Sequence, residues 1–190
     1  VDISNNPLLT IVNFNSQYEP NSGKTVLWYF HSGESIKYTP LYKNNLTALD
    51  VSSNPELEWL DCTGNSIVSL NLSNNTKLTE VDCGKNKLST LDVSNNPELI
   101  YLLCSENGLE QLNVSSNPKL NYLECSQNNL TTLDVSGNPV MAELYCSPMN
   151  DSSGNNLLSI LYVSSAQQIS GVTPNRNSDC VPDETEIIYK

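Results

Sequence analysis

Apolar residues in this chain recur as a fixed block rather than at helical spacing. Leu57, Leu60 and Cys62 return as Leu78, Val81 and Cys83, as Leu99, Leu102 and Cys104, as Leu120, Leu123 and Cys125, and as Met141, Leu144 and Cys146, 21 residues on each time. Asparagine follows three positions after the first four cysteines, at Asn65, Asn86, Asn107 and Asn128. A second apolar run, Leu-x-x-Leu-Asp/Asn-Val/Leu-Ser, begins at Leu46 and repeats in step, ending in corners marked by Asn54-Pro55, Asn96-Pro97, Asn117-Pro118 and Asn138-Pro139. Proline after asparagine stops an extended arm and starts a turn. A period near twenty residues means that each unit buries its apolar face against its neighbours, so the core runs the length of a stack. The pattern predicts turns made of a strand ending at cysteine, a corner at asparagine, a second extended arm and a second corner. Two arms and two corners leave little room for a helix, and the outer side is expected to be extended or 3-10.

Alternation along each strand sends Leu60 and Cys62 inward and Trp59, Asp61 and Thr63 to the concave surface. Phasing then predicts two rows on that surface. One is Ile11, Tyr38, Trp59, Glu80, Tyr101, Tyr122 and Glu143; the other is Asn13, Pro40, Asp61, Asp82, Leu103, Glu124 and Tyr145. Tyr38, Trp59, Asp61, Glu80, Asp82, Tyr101, Tyr122, Glu124 and Tyr145 are the candidate ligand contacts, because tyrosine and tryptophan are enriched in binding hot spots. Aromatic residues also suit exposed strand positions and pair across strands for stability alone. Asp61 and Asp82 fall on adjacent strands about 4.8 Å apart, a placement that raises at least one carboxyl pKa or calls for a cation or basic partner. No loop has the ligand spacing of a dedicated calcium site, and a solvated acidic face is the simpler expectation. On the outer arm, Asp50, Asn71, Asp92, Asn113 and Asp134 alternate acid and amide, which keeps carboxylates off adjacent turns.

The regular repeats fill residues 44 to 164, within a single solenoid domain expected over 1 to 190. Residues 1 to 43 are expected to form degenerate N-terminal turns. Asp2 to Leu9 mirrors Asp92 to Leu99, Phe14 takes a cysteine place, and counting back 21 puts Leu41 under Cys62 and Ile36 under Leu57, with a short insertion near residues 17 to 23. A hairpin of Thr25 to Phe30 and Ser35 to Thr39 around His31-Ser32-Gly33-Glu34 is the alternative. The match at the start places Val1 within a repeat, so an earlier turn or cap is expected upstream. A second insertion covers residues 147 to 154, after which Leu158 to Ser164 resumes the pattern. Ile169, Val172 and Asn177 keep a weaker turn in phase, and residues 165 to 190 are expected to form a partial turn and cap, as solenoid ends require.

The net charge of −12, from 21 acidic and nine basic residues, supplies no basic stripe for nucleic acid or anionic membranes. No run is apolar enough to span a bilayer, and the first residues do not form a secretory signal. Six cysteines raise the question of disulfides or metal. No pair has zinc spacing, and parallel in-register side chains hold their β-carbons further apart than the roughly 3.8 Å that a bridge prefers. Cys62, Cys83, Cys104, Cys125 and Cys146 are therefore expected as a buried ladder of reduced thiols acting as small apolar residues, with Cys180 out of phase. Asn65, Asn86, Asn107 and Asn128 are expected to satisfy backbone groups at the corner. Catalysis has little support: the one histidine, His31, lies beside Ser32 and Glu34 near a turn, and no phosphate loop or nucleophile elbow is present. No cofactor or metal is expected.

Five copies of Leu/Met-x-x-Leu/Val-x-Cys at one spacing, four with the phased asparagine, resemble the leucine-rich repeat family, and within it the 21-residue cysteine-ladder repeats of internalin J-like bacterial surface proteins. The resemblance is strong over residues 44 to 164. It implies a right-handed solenoid with a concave parallel β-sheet, no enzyme activity, and a secreted or wall-anchored module that binds or adheres to host molecules. The chain differs in its two insertions, in Phe14 and Leu41 at the first two cysteine places, and in showing no anchor motif. The acidic aromatic face favours a protein partner of basic character. A glycan is the second candidate, with aromatics stacked on sugars and Asp61, Asp82 and Glu124 accepting from hydroxyls. A structural spacer is the third.

Overall fold

The computed structural model describes residues 45–146, 158–164 and 186–190, together with the backbones of three further strands at 11–13, 27–29 and 35–37. Eleven short strands result: β1 (Ile11–Asn13), β2 (Leu27–Tyr29), β3 (Ser35–Lys37), β4 (Trp59–Asp61), β5 (Glu80–Asp82), β6 (Tyr101–Leu103), β7 (Tyr122–Glu124), β8 (Thr132–Asp134), β9 (Glu143–Tyr145), β10 (Ile160–Val163) and β11 (Glu186–Tyr189). No helix occurs among the described residues. The repeats wind as a right-handed leucine-rich repeat solenoid. Its concave sheet has the order β1-β4-β5-β6-β7-β9, all parallel.

The 21-residue frame sets the pairing directly: Leu60 stands beside Val81, then Leu102, Leu123 and Leu144. These five central residues are fully buried, as are Leu57, Leu78, Leu99 and Leu120, each three residues before one of them. From the second arm, Val51, Leu72, Val93, Val114 and Val135 close the same continuous core.

Two asparagine columns hold the corners. In the first, Asn86 accepts the Ile67 N–H on Oδ1 at 3.0 Å and donates from Nδ2 to the carbonyls of Cys62, Cys83 and Gly84. Asn107 and Asn128 repeat the arrangement one and two turns on, and Asn65 starts it by accepting from Leu46. The second column is Asn54, Asn75, Asn96, Asn117 and Asn138, all with 0% exposure. Asn96 donates to the carbonyls of Leu72 and Asn75, and Asn117 to those of Val93 and Asn96. Sequence reasoning treats these residues only as partners of proline in a turn. Asn75, which is followed by threonine rather than proline, carries the signal that the asparagine itself is required.

On the outer arm, Asp50, Asn71, Asp92, Asn113 and Asp134 each accept the N–H two residues ahead through Oδ1. The alternation of acid and amide therefore preserves one turn geometry throughout. A further alternating column, Glu56, Lys77, Glu98 and Lys119, forms the exposed ion pairs Lys77–Glu56 and Lys119–Glu98.

Counting backward from Cys62 fails at the N-terminal side. β1 pairs directly with β4, Ile11 beside Trp59 and Asn13 beside Asp61, and β5 occupies the other edge of β4. Among the described residues no strand stands between β1 and β4 in the sheet, so the Tyr38 place in the counted row is not filled there. Instead β2 and β3 pair antiparallel, Leu27 with Lys37 and Tyr29 with Ser35, which is the hairpin alternative. The physical reason is Pro40, which the counted frame puts at the place of Asp61. Proline has no N–H to donate to a ladder and is excluded from central strands.

At the other end, β8, β10 and β11 form a second parallel sheet on the outer arm, with Leu133, Leu161 and Ile187 in register. Lys190 closes it by an ion pair with Asp134 at 2.6 Å and by standing over the Tyr162 ring. Tyr38, His31, Cys180, Ile169, Val172, Asn177 and the insertions at 17–23 and 147–154 lie outside the described residues.

Candidate functional site

In each concave strand from β4 onward the middle of three residues enters the core, and the two flanking it lie on the opposite, open side of the sheet. From β4 to β9 those outward positions read Trp59 and Asp61, Glu80 and Asp82, Tyr101 and Leu103, Tyr122 and Glu124, Glu143 and Tyr145. Among these strand residues five are acidic, four are aromatic and none is basic. The sheet brings the candidate contacts from Trp59 to Tyr145 onto one surface, in the predicted register.

The aromatic residues are not spread evenly. Tyr101 and Tyr122 are strand neighbours with ring centroids 6.1 Å apart and planes tilted by 44°. Tyr122 and Tyr145 are closer, at 5.4 Å and 38°. Both separations fall within the range of about 4.5–7 Å over which aromatic pairs attract, with planes between stacked and edge-to-face. The three rings form a continuous half-buried strip over the C-terminal half of the sheet. Trp59 stands apart at the other end, also half-buried.

The acids do different jobs according to burial. Asp61 was expected as an open contact but is only 6% exposed. Its Oδ1 turns back to accept the Thr63 N–H at 3.0 Å, so it caps the end of its own strand. Asp82 makes the equivalent bond to the Gly84 N–H at 3.1 Å and remains partly exposed. Burial pushes the Asp82 carboxyl above its ordinary range, while the Thr63 hydroxyl, the Gly84 N–H and the Lys85 charge pull the other way. The upward shift expected from pairing with Asp61 thus comes from desolvation, and Asp61 is not among its causes. Glu124 is raised too, first by burial and then by the charges of Asp82 and Glu106, against a hydrogen bond from Ser105 and the charge of Lys85. Glu143 is exposed and accepts the Tyr145 hydroxyl at 3.1 Å.

Just past the strands, Gly64, Lys85, Glu106 and Gln127 share a left-handed backbone, with φ of 70°, 52°, 53° and 54°. Lys85 and Glu106 form an ion pair at 3.4 Å along that rim. Gly64 is the one sequence signal for this conformation, and the three polar residues that follow it in register conceal it.

Beneath the face, Cys62, Cys83, Cys104, Cys125 and Cys146 are buried thiols outside any disulfide. Burial pushes the first four well above the ordinary thiol pKa, and a neighbouring cysteine adds to the effect in each. They are poor nucleophiles and poor metal ligands as they stand. Among the described residues no group of three or more His, Cys, Asp or Glu is placed to hold a metal ion. No helix among them is long and apolar enough to cross a membrane.

Among solved structures, the functional domain of InlJ from Listeria monocytogenes, which includes a cysteine ladder, is similar at 37% identity over 70% of this chain, with a TM-score of 0.54. The match spans 31% of that structure's own length. An internalin (InlF) from the same organism aligns at 21% identity over 77% of this chain and 38% of its own, with a TM-score of 0.46. Internalin C2 (InlC2), also from that organism, aligns at 17% identity over 78% of this chain and 79% of its own, with a TM-score of 0.40. No family model and no curated protein matches the chain.

Proposed function

Because the chain is an internalin-like leucine-rich repeat protein of the cysteine-ladder type, we propose that it is a non-catalytic recognition module of a secreted or surface-attached bacterial protein. It binds a host protein through the concave face, with Trp59, Tyr101, Tyr122 and Tyr145 as anchors and Glu80, Asp82 and Glu124 setting the charge. The observation that carries this reading is the composition of the face: beside the buried Asp61, the outward strand residues of β4, β5, β6, β7 and β9 hold four open acids, four aromatics and no base. Aromatic side chains supply contact area at low entropic cost, and a field of one sign steers an oppositely charged partner. The partner is therefore basic, and its affinity falls as salt rises.

The tyrosine strip supports glycan binding as a second reading, since rings stacked over a sheet also suit sugar faces. Binding to a glycan would depend little on salt. The test is a parallel screen of the labelled chain against arrays of host extracellular proteins and surface glycans, beside a Trp59→Ala, Tyr101→Ala, Tyr122→Ala variant. A protein hit lost in the variant supports the proposal. A glycan hit lost in the variant replaces it with the second reading. Hits unchanged by the variant, or no hit, leave a structural spacer as the better account.

A further inference from the structure

Strands β7 and β9 place four side chains in a square. Tyr122 is in register with Glu143, and Glu124 is in register with Tyr145. Each tyrosine therefore has a glutamate beside it on its own strand and another opposite on the next. The two rings cross one diagonal at 5.4 Å, and the two carboxylates end the other. Neighbouring strands stand about 4.8 Å apart, so a planar group lying over the rings has a carboxylate within reach on both sides. The Tyr145 hydroxyl donates to Glu143, and Glu124 accepts from Ser105 with the Lys85 charge also acting on it; a carboxylate has about four lone-pair sites, so both acids can accept further donors.

Resting on the recognition reading above, we infer that Tyr122, Glu124, Glu143 and Tyr145 form an arginine subsite. The guanidinium of an exposed arginine in the partner protein lies over the two rings and donates to the carboxylates on either side. Arginine fits better than lysine because its planar cation stacks on aromatic faces and presents five N–H donors in a fixed fork, whereas an ammonium is a compact, strongly hydrated charge. The remainder of the face agrees in sign. Tyr101 extends the platform by one strand, and Glu80 and Asp82 lie beyond it for a second basic residue.

The chain titrated with acetyl-Gly-Arg-Gly-amide, and with its citrulline and lysine counterparts, tests the inference, followed by amide chemical shifts. Citrulline keeps the shape of arginine without its charge. The arginine peptide should bind weakly but measurably, with shifts confined to β7, β9 and the adjoining corner, and about fivefold tighter than citrulline, with lysine between them. Glu124→Gln and Tyr122→Ala should each lose about fivefold, whereas Tyr122→Phe and the remote Glu110→Gln should bind as the parent does. The conservative Glu124→Gln and Tyr122→Phe variants separate a lost contact from a lost fold. Equal binding of arginine and citrulline, shifts elsewhere on the molecule, an unaffected Glu124→Gln, or no binding at all would each overturn the subsite. An array partner lost in the triple alanine variant, together with an inert arginine peptide, removes this inference and leaves the recognition reading standing. Failure of the array screen removes the reading beneath it.

Discussion

Replacing Asn107 with alanine should cost more stability than replacing Asn96, although Asn96 is the more buried of the two. The difference lies in what each side chain leaves behind. Asn107 Oδ1 accepts the Leu88 N–H at 2.9 Å, and Leu88 is fully buried. Without Asn107 that N–H loses its acceptor, a penalty of about 1–3 kcal/mol. The carbonyls of Cys83, Cys104 and Ser105 also lose a donor, but each keeps another from Asn86, Asn128 or the Lys85 N–H. Adding a partial loss for these gives about 3–5 kcal/mol for Asn107→Ala. Asn96 gives only its Nδ2 donors, to Leu72 and Asn75, whose carbonyls still accept from the N–H groups of Asn75 and Leu78. Its buried Oδ1 has no hydrogen-bond partner among the described residues. Removing that oxygen relieves a desolvation cost and offsets part of the loss, leaving about 1–2 kcal/mol. Urea unfolding of both variants, followed by circular dichroism and analysed with a common slope, measures the difference. An Asn96→Ala cost equal to or above that of Asn107→Ala would refute the reasoning that the orphaned N–H dominates.

Gln127→Gly should stabilise the chain by about 0.5–1 kcal/mol, because it relieves a left-handed non-glycine backbone at some entropic cost; a thermal melt that drops instead would contradict this. Lys85→Gly should gain less, since it also removes the ion pair with Glu106. A thiol reagent at mildly alkaline pH should modify the ladder cysteines only at the rate of unfolding, and fast labelling of Cys83 or Cys104 in the native protein would show that they are not buried as described. Asp82 and Glu124 have folded-state pKa values above their ordinary ones. The folded chain therefore binds more protons between the two values, so these groups contribute stability that is present at acid pH and lost as pH rises through the folded pKa. Asp82→Asn should remove its share of that slope in unfolding midpoints measured from about pH 4 to 7, and an unchanged slope would count against the desolvation of Asp82.

The central sheet was legible because one period fixes three things together: which residues are buried, which strands are neighbours and which residue stands opposite which. Trp59, Glu80, Tyr101 and Tyr122 could be placed in one row on that basis alone. The frame failed where the period meets a residue that cannot obey it, since the counted register asks Pro40 to donate an N–H it does not have. The loss of Asp61 as an open contact was not legible either, since period-two alternation gives a direction and says nothing of a carboxylate folded back onto the Thr63 N–H. The buried Asn75 column was visible in the letters but masked by prolines that offered a simpler account. The Tyr122–Glu143 and Glu124–Tyr145 square follows from the same step of 21, yet its significance depends on ring geometry that spacing does not supply.

The concave face is proposed above as a recognition surface for a basic protein. The most direct test of that proposal is the affinity of a protein captured from the array, measured by surface plasmon resonance for the parent chain and for the Trp59→Ala, Tyr101→Ala, Tyr122→Ala variant, at about 0.05 M and 0.3 M salt. The account predicts that the variant loses binding at both salt concentrations and that the parent binds several-fold more weakly at the higher one. Equal affinities for parent and variant would contradict the face as the site. A parent affinity indifferent to salt would contradict the basic character of the partner.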